Sequence, residues 1–252
     1  MIAATRIGAL FATLALCAAG AADASVPGYI TKAVASSSRP DKDRERDPDR
    51  KPEQVLAFAG IHPGQRVAEL MPGGGYYSRL LCRVIGPKGH LYTISLTRAV
   101  GGEARSPDVA AAAPAADACT NVTADSQSAA GLKLPGGLDA VWTTENYHDL
   151  HNATFGSPDM RIFDRAVFDA LKPGGVFIVE DHVAEAGSAA RDTQTLHRID
   201  PELVKREALS AGFVLDGSSE ALRNPDDAHT LKVFELKGRS DKFLFRFRKP
   251  GR

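Results

Sequence analysis

The sequence has no excess of charge of either sign. Its 31 lysines and arginines balance 31 aspartates and glutamates, so the formal net charge is zero at pH 7. Such a balance gives no broad electrostatic attraction toward nucleic acid or toward an anionic membrane surface. We therefore expect a small-molecule substrate and no nucleic-acid partner, while the oligomeric state stays open.

Long apolar runs are also lacking, apart from one near the N-terminus. Residues 7–19 are mostly apolar, follow the positively charged Arg6 and precede the small-residue segment Ala22-Asp23-Ala24. These three parts are typical of a secretory signal, and the run is too short for a permanent membrane helix. We predict a signal peptide over 1–24, export to the periplasm and no stable membrane insertion after cleavage.

Cysteine is scarce, and no familiar zinc motif is present. Outside the predicted signal only Cys82 and Cys119 remain. In an oxidising compartment they could form one disulfide, and they could equally be two buried apolar side chains. The histidines form neither an HExxH pair nor a cysteine-rich cage, so no metal site is predicted.

The segment 36–52 lacks the apolar residues that a core requires. It reads SSSRPDKDRERDPDRKP and is dense in charges of both signs. Such a composition predicts either a solvated leader or a strap that wraps over the fold. We therefore divide the chain into the signal 1–24, a polar leader 25–52 and one globular domain 53–250.

From residue 53 onward, short apolar runs alternate with helical patterns. This alternation predicts parallel strands joined by crossover helices rather than hairpins. Phenylalanines at 243, 245 and 247 alternate with leucine or arginine, a period of two that is typical of a strand. The predicted strands are 66–70, 89–95, 121–125, 138–143, 175–180, 212–217 and 242–248, and the predicted helices are 54–59, 76–84, 108–118, 159–171 and 201–211.

The first predicted strand ends in a turn with three consecutive glycines. Glu69 lies at the strand end, and Met71, Pro72 and glycines 73–75 lead into the next helix. Glycines let a backbone approach a ligand closely, and the free N–H groups at a helix start bind polar groups. In open parallel sheets, ligands bind beyond the carboxyl ends of the strands. We predict a ligand crevice at this turn, with a plain tight turn as the alternative.

A second group of polar residues follows the fourth and fifth predicted strands. Tyr147 and His148 come after strand four, Asp181 and His182 after strand five, and His197 lies further along. Convergent imidazoles and carboxylates can act as general bases or bind a metal ion. Each residue alone could instead cap a helix or satisfy a loop. As a group they predict a shared active site, with Tyr147 and His148 as first choices.

Three segments together resemble successive motifs of class I S-adenosylmethionine-dependent methyltransferases. They are 67–81, 138–146 and 170–180, the last reading ALKPGGVFIVE. The stretches AELMPGGGYYSRLL, NYHDLH, TLHRIDP and LRNPDDAHTLKVF are similar to a bacterial group of exported methyltransferases. The resemblance implies an α/β, Rossmann-like methyltransferase fold: a mostly parallel seven-stranded sheet with helices on both faces and an antiparallel last strand.

The resemblance also implies S-adenosyl-L-methionine as the cofactor. By it, Glu69 faces the methionine ammonium and Asp125 lies near the adenine amino group. Two positions depart from the family pattern: Met71 stands where the first glycine is usual, and Ser95 stands where an acid usually holds both ribose hydroxyls. The implied cofactor-binding residues are Glu69, Met71, Gly73, Gly74, Gly75, Ser95, Asp125 and Asn146.

The predicted function is methyl transfer to an unidentified, small-molecule acceptor. The predicted catalytic residues are Tyr147, His148, Asp181, His182 and His197, of which His148, Asp181 or His182 could take the acceptor's proton. The family's Asn-Pro-Pro-Tyr signature for amino acceptors is missing, so the acceptor chemistry stays open. The alternatives are an exported, non-catalytic binding or assembly protein of this fold, or a metal-assisted acid–base enzyme that uses the His/Asp loops.

Overall fold

Seven strands form one sheet in the computed structural model, which describes residues 25–98 and 119–251. They are β1 (Arg66–Leu70), β2 (His90–Leu96), β3 (Val122–Gln127), β4 (Leu138–Thr144), β5 (Leu171–His182), β6 (Val214–Ser219) and β7 (Lys242–Arg248). Their order in the sheet is β3-β2-β1-β4-β5-β7-β6. β7 runs antiparallel to β5 and β6, and the other neighbours are parallel. The predicted sheet is confirmed, and its strand order reverses between β1 and β4.

Helices lie on both faces of this sheet. They are α1 (Gly28–Val34), α2 (Asp41–Arg44), α3 (Asp47–Arg50), α4 (Pro52–Ala59), α5 (Tyr76–Ile85), α6 (Met160–Ala170) and α7 (Pro201–Ser210). The Asp159 and Asp200 side chains cap α6 and α7 by accepting backbone N–H groups of the first turn. Over 25–98 and 119–251, no helix combines the length and the apolar character needed to cross a membrane. The predicted alanine-rich helix 108–118 lies outside the described residues.

Alternate residues of the central strands belong to two apolar cores, one on each face of the sheet. In β4, Val141 shares a core with residues of α6 and α7, whereas Trp142 packs with residues of α4 and α5. In β7, Phe243 and Phe245 belong to the first core and Leu244 to the second. This is the period of two that the sequence predicts, because successive strand side chains point to opposite faces.

Residues 36–52 form a strap that packs against α5. Arg39 is buried and donates to both carboxylate oxygens of Asp47 at 2.7 Å. Asp43 accepts two hydrogen bonds from Arg79 of α5, at 2.6 and 2.8 Å. Each buried charge therefore has an opposite partner, which offsets its lost hydration. These ion pairs hold the segment against the fold, which is the arrangement that the strap alternative describes.

A disulfide joins Cys82 of α5 to Cys119, which precedes β3. Their Cα atoms lie 5.9 Å apart. The bond ties the helix that follows the glycine turn to the edge of the sheet. Of the two alternatives that the sequence left open for these cysteines, the structure contains the disulfide.

Candidate functional site

A cavity of about 490 Å³ lies at the carboxyl ends of β1, β2 and β4. We call it the turn cavity, because the glycine turn forms one wall. Its volume is typical of small-molecule sites, which span roughly 300–1,000 Å³. It also lies where the strand order reverses, the expected ligand position in an open α/β sheet. Six of the eight predicted cofactor-binding residues line it: Glu69, Met71, Gly73, Gly74, Ser95 and Asn146.

The backbone of the glycine turn is held from both sides. Met71 donates its N–H to the carbonyl of Ile94 in β2, and its own carbonyl accepts from the Asn146 side chain, both at 2.8 Å. Met71 has φ of 49°, the left-handed region that favours glycine, and Gly73 has φ of 53°. A Cβ added at Gly73 or Gly74 would meet no protein atom within 4 Å. The turn therefore leaves room for a ligand close to its backbone.

Glu69 places a buried carboxylate in the wall of the turn cavity. Its side chain accepts a hydrogen bond from the Ser78 hydroxyl at the first turn of α5. Burial raises the pKa of Glu69 to about 7, although the Ser78 hydrogen bond and the charge of Arg79 act in the opposite direction. Burial disfavours an isolated negative charge, so a cationic group entering the cavity would stabilise the ionised form.

Basic residues of the strap close the other side of the turn cavity around Glu145. Arg46 and Arg50 line the cavity, and both face Glu145, which follows β4 with φ of 55°. Lys242 lies 3.3 Å from the same carboxylate. Burial opposes ionisation of Glu145, but the charges of Arg50 and Lys242 outweigh it and lower its pKa to about 2. Glu145 is therefore a carboxylate with resident cationic partners, unlike Glu69.

A second cavity of about 390 Å³ adjoins the first, and four residues, Arg98, Glu145, Asp149 and Phe155, line both. We call it the imidazole cavity, because three of the predicted catalytic residues line it: His148, His182 and His197. The glycine turn and the imidazoles therefore border two adjoining cavities rather than one common cavity. A ligand in one cavity would lie next to a ligand in the other.

His148 is fixed by a buried carboxylate and faces a second imidazole. Its Nδ1 lies 2.8 Å from Oδ1 of Asp181, and its backbone N–H donates to Oδ2 of the same residue. Its Nε2 lies 3.2 Å from Nδ1 of His197. Burial lowers the pKa of His148, but the Asp181 carboxylate outweighs it and the net shift is upward. For His197, burial and the neighbouring His148 lower the pKa.

His182 lies in the same wall and is neutral at neutral pH. Its Nδ1 is 2.7 Å from the Ser240 hydroxyl. Burial lowers its pKa to about 4, despite the nearby carboxylates of Glu145 and Asp181. It therefore offers a neutral imidazole to the cavity.

Four predicted residues do not line either cavity, and one of them is Asp181, which is fully buried behind His148. The side chain of Tyr147 points into the core, where its hydroxyl donates to Asp164 at 2.8 Å and lies 3.0 Å from a Glu207 oxygen. Tyr147 and His148 are consecutive at a tight 3-10 turn, so their side chains point in different directions. Asp125 is exposed and accepts from the side chain of Gln127. Gly75 precedes α5 with φ of 76° and serves the turn rather than the cavity wall.

From the sequence, no role was predicted for several cavity residues, among them Arg46, Arg50, Glu145, Asp149 and Phe155. The two arginines lie in the charge-dense strap, where a sequence pattern gives no sign of which charges become buried. Glu145 and Asp149 flank the predicted His148 and could have been included with it. Their position after β4 was the available signal.

No protein-family model matches the chain, and no curated protein matches it. Several solved structures are similar to the chain. A SAM-dependent methyltransferase from Aquifex aeolicus aligns with a TM-score of 0.55 and 18% identity over 84% of this chain and 98% of its own. An arsenic (III) S-adenosylmethionine methyltransferase from Chlamydomonas reinhardtii aligns at 0.52 and 19%, over 89% and 74%. The [4+2]-cyclase SpnF aligns at 0.58 and 16%, over 81% of each chain. These similarities show that the chain has the Rossmann-like methyltransferase fold.

Proposed function

We propose that this protein is an S-adenosylmethionine-dependent methyltransferase that acts on a small molecule. One observation carries the proposal: the buried Glu69 carboxylate faces a cavity at the glycine turn, and that cavity adjoins a second one lined by imidazoles. The pair supplies a place for the cofactor and a neighbouring place for the acceptor. The similar solved structures include S-adenosylmethionine-dependent methyltransferases, which supports the choice of cofactor.

The residues of the turn cavity fit this cofactor. Glu69 is a buried acid that forms no salt bridge with another described residue, and it suits the ammonium group of the methionine part. The two positions that depart from the family pattern are compatible with binding. Met71 adopts the left-handed backbone that a glycine would adopt there. Ser95 lines the cavity and offers a neutral hydroxyl to the ribose, a weaker partner than an acid by about 1 kcal/mol.

When bound, the cofactor supplies a methyl group activated by a sulfonium. The protein's own task is to align the acceptor and to take up its proton. His148 suits the second task, because Asp181 holds its Nδ1 and leaves Nε2 directed at His197 and the cavity. Asp181 is fully buried, and the His148 imidazole outweighs the effect of burial and lowers its pKa. Asp181 thereby positions the imidazole and stabilises its protonated form.

The proposal includes export of a chain that begins near residue 25. The disulfide between Cys82 and Cys119 supports it, because such bonds persist in oxidising compartments. Sequencing the N-terminus of protein recovered from the periplasm of an expressing bacterium tests this part. Full-length protein found only in the cytoplasm would contradict it.

Calorimetric titration of the mature chain with S-adenosylmethionine and S-adenosylhomocysteine tests the central claim. We expect saturable binding of one ligand per chain. In Glu69→Gln, affinity should fall by roughly ten- to a hundredfold, because a hydrogen bond to a charged group contributes about 1.5–3 kcal/mol. Glu220→Gln, at an exposed glutamate outside both cavities, is the matched control and should bind as the parent does.

Absence of binding at millimolar ligand would overturn the proposal and leave a non-catalytic protein of this fold. Binding without methyl transfer would support the cofactor site and contradict the transfer reaction, since one similar solved structure is a [4+2]-cyclase and a fold does not determine its chemistry.

A further inference from the structure

Three ligand-type atoms converge where the two cavities meet. Nε2 of His148 lies 3.2 Å from Nδ1 of His197 and 3.4 Å from Oδ1 of Asp149. The third side of this triangle, from His197 Nδ1 to Asp149 Oδ1, measures 3.9 Å. Among the residues that the structure describes, this is the group of histidines and acids whose ligand atoms lie close enough together to hold one metal ion.

The triangle has the size that a transition metal requires. Zinc binds imidazole nitrogen and carboxylate oxygen at about 2.0–2.2 Å, which places the ligand atoms of a tetrahedral site about 3.3–3.6 Å apart. The measured sides of 3.2, 3.4 and 3.9 Å bracket this range. An ion could therefore enter with shifts of a few tenths of an ångström, which the partly exposed His197 can accommodate.

The surroundings of His148 match those of a metal ligand. Metal-binding histidines usually donate their second ring N–H to a carboxylate, which fixes the tautomer and the ring orientation. Nδ1 of His148 makes this contact with Asp181, so the lone pair of Nε2 points into the triangle. Asp181 is itself held by the backbone N–H groups of His148 and His182. Asp149 is likewise held, since its Oδ1 accepts from the Asn152 side chain at 3.0 Å.

The triangle is also open on one side. All three residues line the imidazole cavity, and Asp149 lines the turn cavity as well. Three protein ligands with an open fourth position are typical of catalytic rather than structural zinc sites. The open position would face the space where an acceptor lies beside the cofactor.

We propose that His148, Asp149 and His197 bind a divalent transition-metal ion such as zinc, with Asp181 as the carboxylate that orients His148. Two imidazoles and one carboxylate suit zinc and its borderline neighbours better than magnesium or calcium. Binding of the ion does not depend on methyl transfer. Its use does rest on the proposed function: the ion would hold the acceptor's oxygen or sulfur atom and lower the pKa of its proton, which would pass to solvent water at the open side of the cavity. In that state the lone pairs of His148 and His197 are committed to the metal, which replaces His148 in activating the acceptor.

The test is metal uptake by the mature chain, purified without an affinity tag and stripped with a chelator. Cobalt(II) serves as a spectroscopic probe, because its visible absorption reports coordination number. We expect one cobalt per chain, displaced by one zinc, with a spectrum of four- or five-coordinate cobalt. His197→Gly should lower the affinity by at least about tenfold. Glycine accepts the φ of 55° found at His197, so this variant should fold.

Two further variants complete the design. Asp181→Asn should weaken cobalt binding by roughly 10–100-fold while leaving one ion per chain, the effect of losing an orienting carboxylate. His62→Ala removes an exposed imidazole far from the triangle in sequence and should bind cobalt as the parent does. Circular dichroism checks that each variant is folded.

No stoichiometric cobalt uptake, or uptake that His197→Gly leaves unchanged, would overturn the site. Calorimetry with S-adenosylhomocysteine on the metal-free protein reports separately on the proposed function.

Discussion

Asp164 in the core and Glu69 in the wall of the turn cavity are buried carboxylates in similar surroundings. Each is nearly inaccessible to solvent, and each accepts a hydrogen bond from one hydroxyl, of Tyr147 or of Ser78. Burial raises the pKa of Asp164 to about 8 and that of Glu69 to about 7. The difference is access, because Glu69 lines a cavity and Asp164 lines neither. A raised pKa alone therefore does not identify a ligand site in this protein.

Asp181 and Glu145 complete the comparison, because the first is a buried acid and the second a half-buried acid, and both have cationic or imidazole partners. The His148 imidazole lowers the pKa of Asp181 against the effect of burial. Arg50 and Lys242 do the same for Glu145. Among these four acids, Glu69 alone combines a raised pKa with an open cavity. It is the acid that a cationic ligand could stabilise.

The largest expected effect concerns Asp164, as a change in stability with pH. Its folded-state pKa of about 8 lies above the ordinary value of 3.8. Its contribution to stability is therefore full below pH 3.8 and is lost as the pH rises through 8. Asp164→Asn cannot ionise. Its free energy of unfolding should therefore rise relative to that of the parent by about 1.4 kcal/mol per pH unit across this window. The total is on the order of 5 kcal/mol.

Urea denaturation of both proteins at several pH values measures this difference. Asp169→Asn, at an exposed acid of the same helix, controls for the general effect of removing a carboxylate. A difference between Asp164→Asn and the parent that stays constant with pH would show that Asp164 is ionised in the folded protein. The comparison with Glu69 would then lose its basis.

Most of the sheet could be predicted because its strands bury continuous or alternating apolar residues. The bounds of β1 and β7 were predicted to the residue. Glu69 marks the end of β1, and the alternating phenylalanines mark the two faces of β7. The glycine turn could be placed because glycines between a strand and a helix have few other uses. The burial of the strap could not be predicted in this way, because Asp43 pairs with Arg79, which lies 36 residues further along the chain.

The candidate site shows the same limit within a single turn. A list of polar residues after β4 contains both Tyr147 and His148, but it does not tell which side chain enters the cavity. The direction of each side chain depends on the 3-10 turn, which no periodic sequence pattern predicts. The metal-ligand triangle is equally hidden, because its atoms come from positions 148, 149 and 197 rather than from a compact motif.

The next effect concerns Glu69 and the pH dependence of ligand binding. With a pKa of about 7, Glu69 is mostly protonated at lower pH and then attracts an ammonium group poorly. Affinity for S-adenosylhomocysteine should therefore fall about tenfold from pH 7.5 to pH 6, or about 1.4 kcal/mol. In Glu69→Gln the affinity should be weaker and nearly constant over this range. Calorimetry at matched ionic strength measures the affinity of both proteins. A parent affinity that does not change with pH would contradict the role of Glu69.

The smallest effect concerns Ser78, whose hydroxyl donates to the Glu69 carboxylate. That hydrogen bond lowers the pKa of Glu69, because it stabilises the ionised form. Ser78→Ala should therefore move the midpoint of the pH dependence of S-adenosylhomocysteine affinity to higher pH. The free energy involved is about 1 kcal/mol, the net contribution of a single hydrogen bond. Ser210→Ala, at an exposed serine of α7, is the matched control. If the midpoint stays in place while the affinity drops at every pH, Ser78 contacts the ligand directly rather than tuning Glu69.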